Sequence, residues 1–199
     1  MSPQVEIERY AESDVPTDYG SVRLVIFRAP PEEHAAVVFG PTAALAGEEP
    51  VLVRVHSECW TGEVLRSHKC DCREQLDLAM GLMEEEGRGV LIYLRQEGRG
   101  IGLGNKVRAY ALQAEGADTV DANRVLGFAD DARTYDNAAA MLSSLGVRAV
   151  RLITNNPAKV KGLENNGIRV ASRVPATTPT NEHNAGYLEV KARRMGHMP

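Results

Sequence analysis

All three cysteines of the chain fall in one short stretch, Cys59, Cys70 and Cys72, as a C-x10-C-x-C array. Three thiols so close together, with no others anywhere, are poorly explained as scattered small hydrophobes. They read as a metal site, and the fold has to organise the segment from His56 to Leu76 around it. Thiolates bind borderline-soft Zn²⁺ well, and three protein ligands leave a fourth tetrahedral position for water. Such a water has its pKa lowered to roughly 7, which supplies hydroxide at neutral pH. Two other readings stay open on the residues alone. A disulfide would leave one cysteine over, with Cys70 and Cys72 badly spaced for bridging each other. A closed structural Cys3His site would use His68 or His56 as fourth ligand.

At 199 residues the chain has room for one substantial core and not for two comfortable domains. The net charge of −4 argues against broad nucleic-acid binding while leaving room for a local basic cleft for a small anion. Met1 to Glu12 carries acidic residues and no apolar run after a basic start, so no secretory signal is expected. No stretch approaches the length of a membrane span. An odd, clustered set of cysteines fits a reducing compartment, and the cytoplasm is the expected location.

Along the chain, residues 4 to 10 and Gly20-Ser-Val-Arg-Leu-Val-Ile-Phe27 read as strands, with a turn over Pro16 to Gly20 between them. Ala35 to Phe39 is a further apolar run, and Pro50 to His56 alternates before leading into the cysteines. Leu76, Ala79, Met80 and Met83 recur at helical spacing between Glu74 and Glu86, with the methionines expected in the core. Gly89 to Leu94 is a buried-looking strand, followed by a loop with alternating Gly98, Gly100, Gly102 and Gly104 and then a helix over 105–115. That loop matches neither the dinucleotide fingerprint nor the P-loop. Flanked by Arg95, Arg99, Lys106 and Arg108, it lets backbone amides approach an anion, or it is a solvated surface loop. Asp131 precedes a helix over 136–145, where helix capping is its ordinary role. Val147 to Ile153 is strand-like, Thr154 to Lys159 makes a second anion-suited turn into a helix, 168–174 is a last strand, and 185–195 is expected to be a terminal helix. The fold class is α/β (α+β): one domain over 1–199, with a β-rich part at 1–50, a core at 51–175 of alternating strands and helices around a mixed sheet, and a tail at 176–199.

Taken together and in order, the motifs resemble the GTP cyclohydrolase II family. The blocks are Arg54-Val-His-Ser-Glu-Cys59, Cys70-Asp-Cys72, Arg95-Gln-Glu-Gly-Arg-Gly-Ile-Gly-Leu103, Asn105-Lys-Val-Arg-Ala-Tyr-Ala-Leu-Gln113, Leu126-Gly-Phe128, Thr154-Asn-Asn-Pro157 and Met195-Gly-His197. The resemblance covers roughly residues 5 to 198. It implies an enzyme of riboflavin biosynthesis that opens the imidazole ring of GTP with release of formate and pyrophosphate. It further implies one Zn²⁺ per subunit on Cys59, Cys70 and Cys72, Mg²⁺ with the triphosphate, and a homodimer with no nucleic-acid or membrane partner. Matched nucleotide-contacting positions are Arg54, Val55, His56, Ser57, Glu58, Gln75, Glu97, Gly98, Arg99, Thr119, Thr154 and Lys159. Asp131 matches a proton acceptor and Arg133 a nucleophile at the α-phosphate, although a guanidinium serves more easily as a phosphate clamp. Tyr110 matches the position where tyrosine accompanies complete deformylation; relatives lacking it can stop at the formylated nucleotide.

Trp60, His68, Arg73 and Gly104 stand where the family more often has leucine, leucine, glycine and leucine. A dihydroxybutanone phosphate synthase domain, a frequent fusion partner, has no room here. The zinc deaminases also combine a histidine and glutamate with a later cysteine pair, but they need Pro-Cys-x-x-Cys, and the pair here is Cys70-Asp-Cys72. A non-catalytic nucleotide-binding zinc module is the remaining rival.

Overall fold

A computed structural model of the chain describes residues 6–116, 119–129 and 131–180, together with Asn184, Arg193, Gly196 and Met198. Of the helix expected over 185–195, only Arg193 falls among the described residues, and it is helical. In chain order the elements are β1 (Glu8–Thr17), β2 (Gly20–Ala29), β3 (Glu32–Phe39), β4 (Val51–Ser57), α1 (Trp60–Glu63), α2 (Cys72–Glu86), β5 (Gly89–Leu94), α3 (Leu103–Ala114), α4 (Thr119–Val125), α5 (Asp136–Ser144), β6 (Ala149–Ile153), α6 (Pro157–Asn165) and β7 (Arg169–Val174). Short 3₁₀ turns occupy Thr42–Leu45 and Glu97–Gly100.

The strands form one mixed seven-stranded sheet in the order β1-β2-β3-β5-β4-β6-β7. The first three strands and β5 pair antiparallel as a meander, while β5, β4, β6 and β7 run parallel. The α/β reading with a mixed sheet therefore holds. Local boundaries differ most at the N-terminus. β1 is far longer than the stretch expected at 4–10 because Ser13, Asp14 and Pro16 join it. Their polarity is tolerated at the sheet edge, where β1 is exposed along almost its whole length, and an edge strand can leave a proline's missing N–H turned to solvent. β3 likewise starts at Glu32, before its apolar run. The helices α1 and α4 had no periodic signal, being only four and seven residues long.

Two cores lie on opposite faces of the sheet. On one face, Val51, Val53 and Val55 of β4 and Val90, Ile92 and Leu94 of β5 pack with Ala138, Met141 and Leu142 of α5 and Leu163 of α6. On the other, Leu52 of β4, Leu91 of β5 and Ile153 of β6 pack under Ala79 and Met83 of α2. Met83 is fully buried, which stabilises the helix on the sheet by roughly 1.5–3 kcal/mol. The methionine expectation is thus met at Met83. Because side chains alternate along a strand, Arg54 and His56 share the α2 face with Leu52.

This arrangement decides where a ligand can sit. β4 exits toward α2 on one face, and β5 leads eventually to α5 on the other. Adjacent parallel strands whose connections leave to opposite faces open a crevice at their carboxyl ends. Cys59 follows β4 and Glu97 follows β5 into that crevice. None of the helices among the described residues is long and apolar enough to cross a membrane.

Candidate functional site

At the end of β4, the one-turn helix α1 and the start of α2 bring the three sulfur atoms of Cys59, Cys70 and Cys72 within 4.8 Å of one another. None of the three is in a disulfide. Cys59 Sγ and Cys70 Sγ are 3.7 Å apart. Two sulfurs bound tetrahedrally at a Zn–S length of about 2.3 Å are separated by about 3.8 Å, so this donor set fits that ion without rearrangement of the pair. His68 is exposed, and neither it nor His56 contributes a nitrogen to the cluster. His56 Nε2 instead lies 2.7 Å from Glu63 Oε1. The closed Cys3His alternative therefore finds no fourth protein ligand among the described residues.

Gly62 makes this convergence sterically possible. A Cβ there would lie 2.9 Å from Cys70 Sγ and 3.2 Å from Cys59 Sγ. Within the thiol cluster, hydrogen bonds from the Cys70 and Cys72 thiols, aided by the Lys106 charge, pull Cys59 far below the ordinary thiol range. The Cys59 thiolate in turn pushes Cys70 up to about 11.

Glu63 is the anchor of the β4 end. Its Oε1 accepts from the Cys59 backbone N–H at 2.8 Å, and its Oε2 accepts from Tyr93 Oη at 2.6 Å. His56 and Tyr93 are direct partners in the β4–β5 register, and their rings stack at 5.6 Å. Burial lowers the His56 pKa, keeping its ring neutral. Burial alone would raise Glu63, yet the hydrogen bonds from His56, Tyr93 and the Cys59 amide overcome it and keep the carboxylate ionised.

Arg54 is buried beside the cluster, donating through Nη1 to Ile153 O at 3.0 Å and through Nη2 to Gln75 Oε1 at 2.6 Å. Gln75 passes the chain on, its Nε2 donating to Asp71 Oδ2 at 2.5 Å. Desolvation lowers Arg54 to about 10, and the charges of Cys72, Asp71 and Arg133 act on it. Arg54 Nε, His56 Nδ1 and Ser57 Oγ, successive along the end of β4, are buried with no hydrogen-bond partner among the described residues. Buried polar atoms are ordinarily satisfied, so Arg54 and His56, which share the α2 face, have unused capacity for a polar ligand. Val55 O accepts from the buried Lys159 Nζ at 2.7 Å, and Thr154 Oγ1 accepts from Asn156 N at 3.0 Å in the turn before α6. Glu58 Oε2 pairs with Arg95 Nε at 2.9 Å.

The glycine loop after β5 closes the opposite side. Gly98 and Arg99 both take left-handed backbone angles, φ 63° and 60°. The first is free for glycine and costly for arginine. Ala132 N donates to Arg99 O at 3.1 Å, and Gln96 Nε2 to Thr134 O at 2.9 Å, so this loop is laced to the segment carrying Asp131 and Arg133. Glu97 is buried with both oxygens engaged. Oε2 accepts from Trp60 N at 2.6 Å, and Oε1 accepts from Gly98 N at 2.7 Å and Lys106 Nζ at 2.8 Å.

Asp131 is not a helix cap: α5 has Tyr135 at that position, with no side-chain cap bond. Instead Asp131 grips Arg133, accepting from its Nε at 2.8 Å, its Nη2 at 2.6 Å and its backbone N–H at 3.0 Å. Burial would raise the Asp131 carboxyl, and the Arg133 fork and charge more than reverse this. A carboxylate with a depressed pKa stabilises the fold above the usual aspartate value of about 3.9 and loses that contribution as pH falls through its lowered value. Asp131→Asn is accordingly expected to cost on the order of 1 kcal/mol in denaturant unfolding at neutral pH, allowing for partial exposure, and to converge with the parent protein in acid.

Tyr110, on α3, reaches the metal side: its Oη lies 3.4 Å from Thr61 Oγ1, which is 3.8 Å from Cys59 Sγ. Burial raises the phenol's pKa. Thr119 opens α4, and its side chain lies outside the described residues. Sequence reasoning did not assign roles to Gly62, Glu63 or Asp71. Glu63, four residues after Cys59 and thus one helical turn on, carried a usable signal; Gly62 and Asp71 carried none.

The sequence model of the GTP cyclohydrolase II family matches residues 8–175. A protein named GTP cyclohydrolase-2 from Actinobacillus succinogenes is 50% identical over 96% of this chain and 88% of its own length. The riboflavin biosynthesis protein RibBA of Bacillus subtilis is also 50% identical over 96% of this chain, which spans 48% of that longer protein. Among solved structures, RibBX, a two-domain 3,4-dihydroxy-2-butanone 4-phosphate synthase from A. baumannii, aligns with 89% of this chain and 42% of its own at TM-score 0.47 and 20% identity.

Proposed function

This chain belongs to the GTP cyclohydrolase II family, and from that premise we propose that it hydrolyses GTP at C8 of guanine. Formate and pyrophosphate leave, giving 2,5-diamino-6-ribosylamino-4(3H)-pyrimidinone 5′-phosphate for riboflavin synthesis. The observation that carries this reading is the convergence of Cys59, Cys70 and Cys72 in the crevice between β4 and β5, with no fourth protein ligand among the described residues. Zinc is the ion this donor set suits, and when bound it supplies Lewis-acid activation of water at neutral pH.

The chain's own groups then divide the remaining work. The row Arg54 to Glu58, with Gln75, Glu97 to Arg99, Thr119, Thr154 and Lys159, binds the nucleotide. Within it Glu97, already engaged with Trp60, Gly98 and Lys106, holds the shape of the loop. Asp131, kept ionised, accepts a proton, and Arg133 presents its guanidinium to the α-phosphate. Because Asp131 already holds that fork at two points, a clamp is the role the pairing favours over a nucleophile. The triphosphate would itself hold Mg²⁺, which would supply charge neutralisation for the departing pyrophosphate. Tyr110, held toward Cys59 through Thr61, assists removal of the formyl group. The protein works as a homodimer in the cytoplasm, where its thiols stay reduced.

Product analysis tests the reading. Zinc-loaded protein with GTP and Mg²⁺ is expected to give stoichiometric formate, pyrophosphate and the deformylated pyrimidine, while Tyr110→Phe accumulates the formylated nucleotide. Formylated product from the parent protein would instead identify a relative that halts after ring opening. Absence of turnover with zinc bound would leave a non-catalytic nucleotide-binding module.

A further inference from the structure

Lys106 sits in the first turn of α3, yet its ammonium is directed away from solvent toward the cysteine cluster. Nζ lies 3.2 Å from Cys59 Sγ and 2.8 Å from Glu97 Oε1. Only 12% of the lysine side chain and 8% of the glutamate side chain are exposed. The placement is built from several sides. Glu97 is itself pinned by the Trp60 and Gly98 amides, and a Cβ on Gly98 would lie 3.1 Å from Lys106 Cβ, so the glycine lets the lysine stem lie against the loop. Nothing in the nucleotide-binding or proton-transfer roles above uses this residue.

The chemistry of the neighbourhood explains why a cation belongs there. Three thiolates on a divalent ion leave one net negative charge in a poorly solvated place, and buried charge is costly without a partner. A donor on one sulfur also withdraws electron density from it, so that sulfur gives less to the metal and the metal stays a stronger Lewis acid.

We propose that Lys106 is a positioning residue for the metal centre, donating to Cys59 Sγ from a place set by Glu97 and so coupling the thiolate shell to the glycine loop that closes the site. The inference rests on the metal reading given above. It makes Lys106 responsible for how strongly the ion is held and how acidic it is, while Tyr110, Asp131 and Arg133 act on the nucleotide.

Cobalt substitution tests it. The full-length protein is loaded with Co²⁺ alone, and thiolate-to-cobalt charge-transfer absorption is recorded for the parent, Lys106→Met, Lys106→Gln and Lys106→Arg. Zn²⁺ affinity is measured by chelator competition, with circular dichroism as the folding control. Loss of the ammonium raises the energy of the Cys59 lone pairs, which lowers the charge-transfer energy. It also leaves the net negative charge of the centre buried without its cation, which outweighs the stronger donation and weakens retention of the ion. The Met and Gln variants are therefore expected to absorb at longer wavelength and to bind Zn²⁺ roughly 10–100-fold more weakly, with Arg returning both readouts toward the parent. Folded Met and Gln variants with unmoved bands and unchanged affinity would overturn the proposal and leave Lys106 as a structural partner of Glu97. Failure of the parent to show thiolate-to-cobalt bands would overturn the metal reading itself and this inference with it, an outcome separable from the first.

Discussion

Gly62→Ala is expected to empty the three-cysteine centre of metal and to abolish GTP ring opening, although the chain still folds. The backbone of α1 accepts alanine readily, since the residue is helical and alanine is the better helix former. The obstacle is the new methyl group, placed 2.9 Å from Cys70 Sγ, 3.2 Å from Cys59 Sγ and 3.4 Å from Cys72 Cβ. Ordinary contacts of this kind are roughly 3.5–4.0 Å. Both close atoms are the ends of short, buried side chains, so one sulfur has to move by several tenths of an ångström. Metal sites tolerate deviations of only about 0.2 Å in ligand distance. Metal content after dialysis, read with formate release, checks this. Gly81→Ala is the control: Gly81 lies in α2, where a Cβ would meet nothing within 4 Å, so this variant should keep both metal and activity. Full metal occupancy and activity in Gly62→Ala would show that the cluster does not need the space Gly62 leaves.

The second large effect is expected from Glu63→Ala, and it falls on stability. The substitution strips partners from His56 Nε2, Tyr93 Oη and the Cys59 amide together, all buried or half-buried at the carboxyl ends of β4 and β5. Orphaning donors that served a buried carboxylate is expected to cost about 3–5 kcal/mol in urea unfolding. Glu63→Gln, which keeps the shape and one acceptor, should lose less. The pH dependence follows from the depressed pKa of this carboxylate. Its contribution is complete above the usual glutamate value of about 4.3 and disappears as pH falls through the lowered folded-state value. Parent and variant stabilities should therefore approach each other in acid. A constant gap across that range would mean that packing, and not the ionised acceptor, accounts for the loss. Release of the Cys59 amide also predicts weaker metal retention in Glu63→Ala.

The parts of the molecule that were legible in the sequence are those whose signal is local. The apolar runs of β4, β5 and β6, the helical spacing of α2 and α5, and the glycine loop after β5 all appear at nearly their expected places. The cysteine cluster was legible because thiols are few and chemically distinctive. What escaped did so for physical reasons. The polar half of β1 is stabilised by pairing with β2 and not by its own composition. Asp131 looked like a cap because it stands before a helix, and only the folded loop turns its carboxylate to Arg133. Glu97 matched a nucleotide-contacting position by resemblance, and no local signal announced the three donors, Trp60 N, Gly98 N and Lys106 Nζ, that surround its carboxylate in the fold.

Composition and spacing by themselves determined the donor set, three cysteines in one segment, and the alternation of strands and helices that makes an α/β sheet, because side-chain chemistry and periodicity are properties of neighbours along the chain. Only the tertiary structure decided which distant groups meet. Lys106 reaches Cys59 across 47 positions, and Tyr93 reaches Glu63 across 30. Those meetings depend on the β4–β5 register and on the opposite faces to which the two strands' connections depart, and register and handedness are set by packing of the whole sheet.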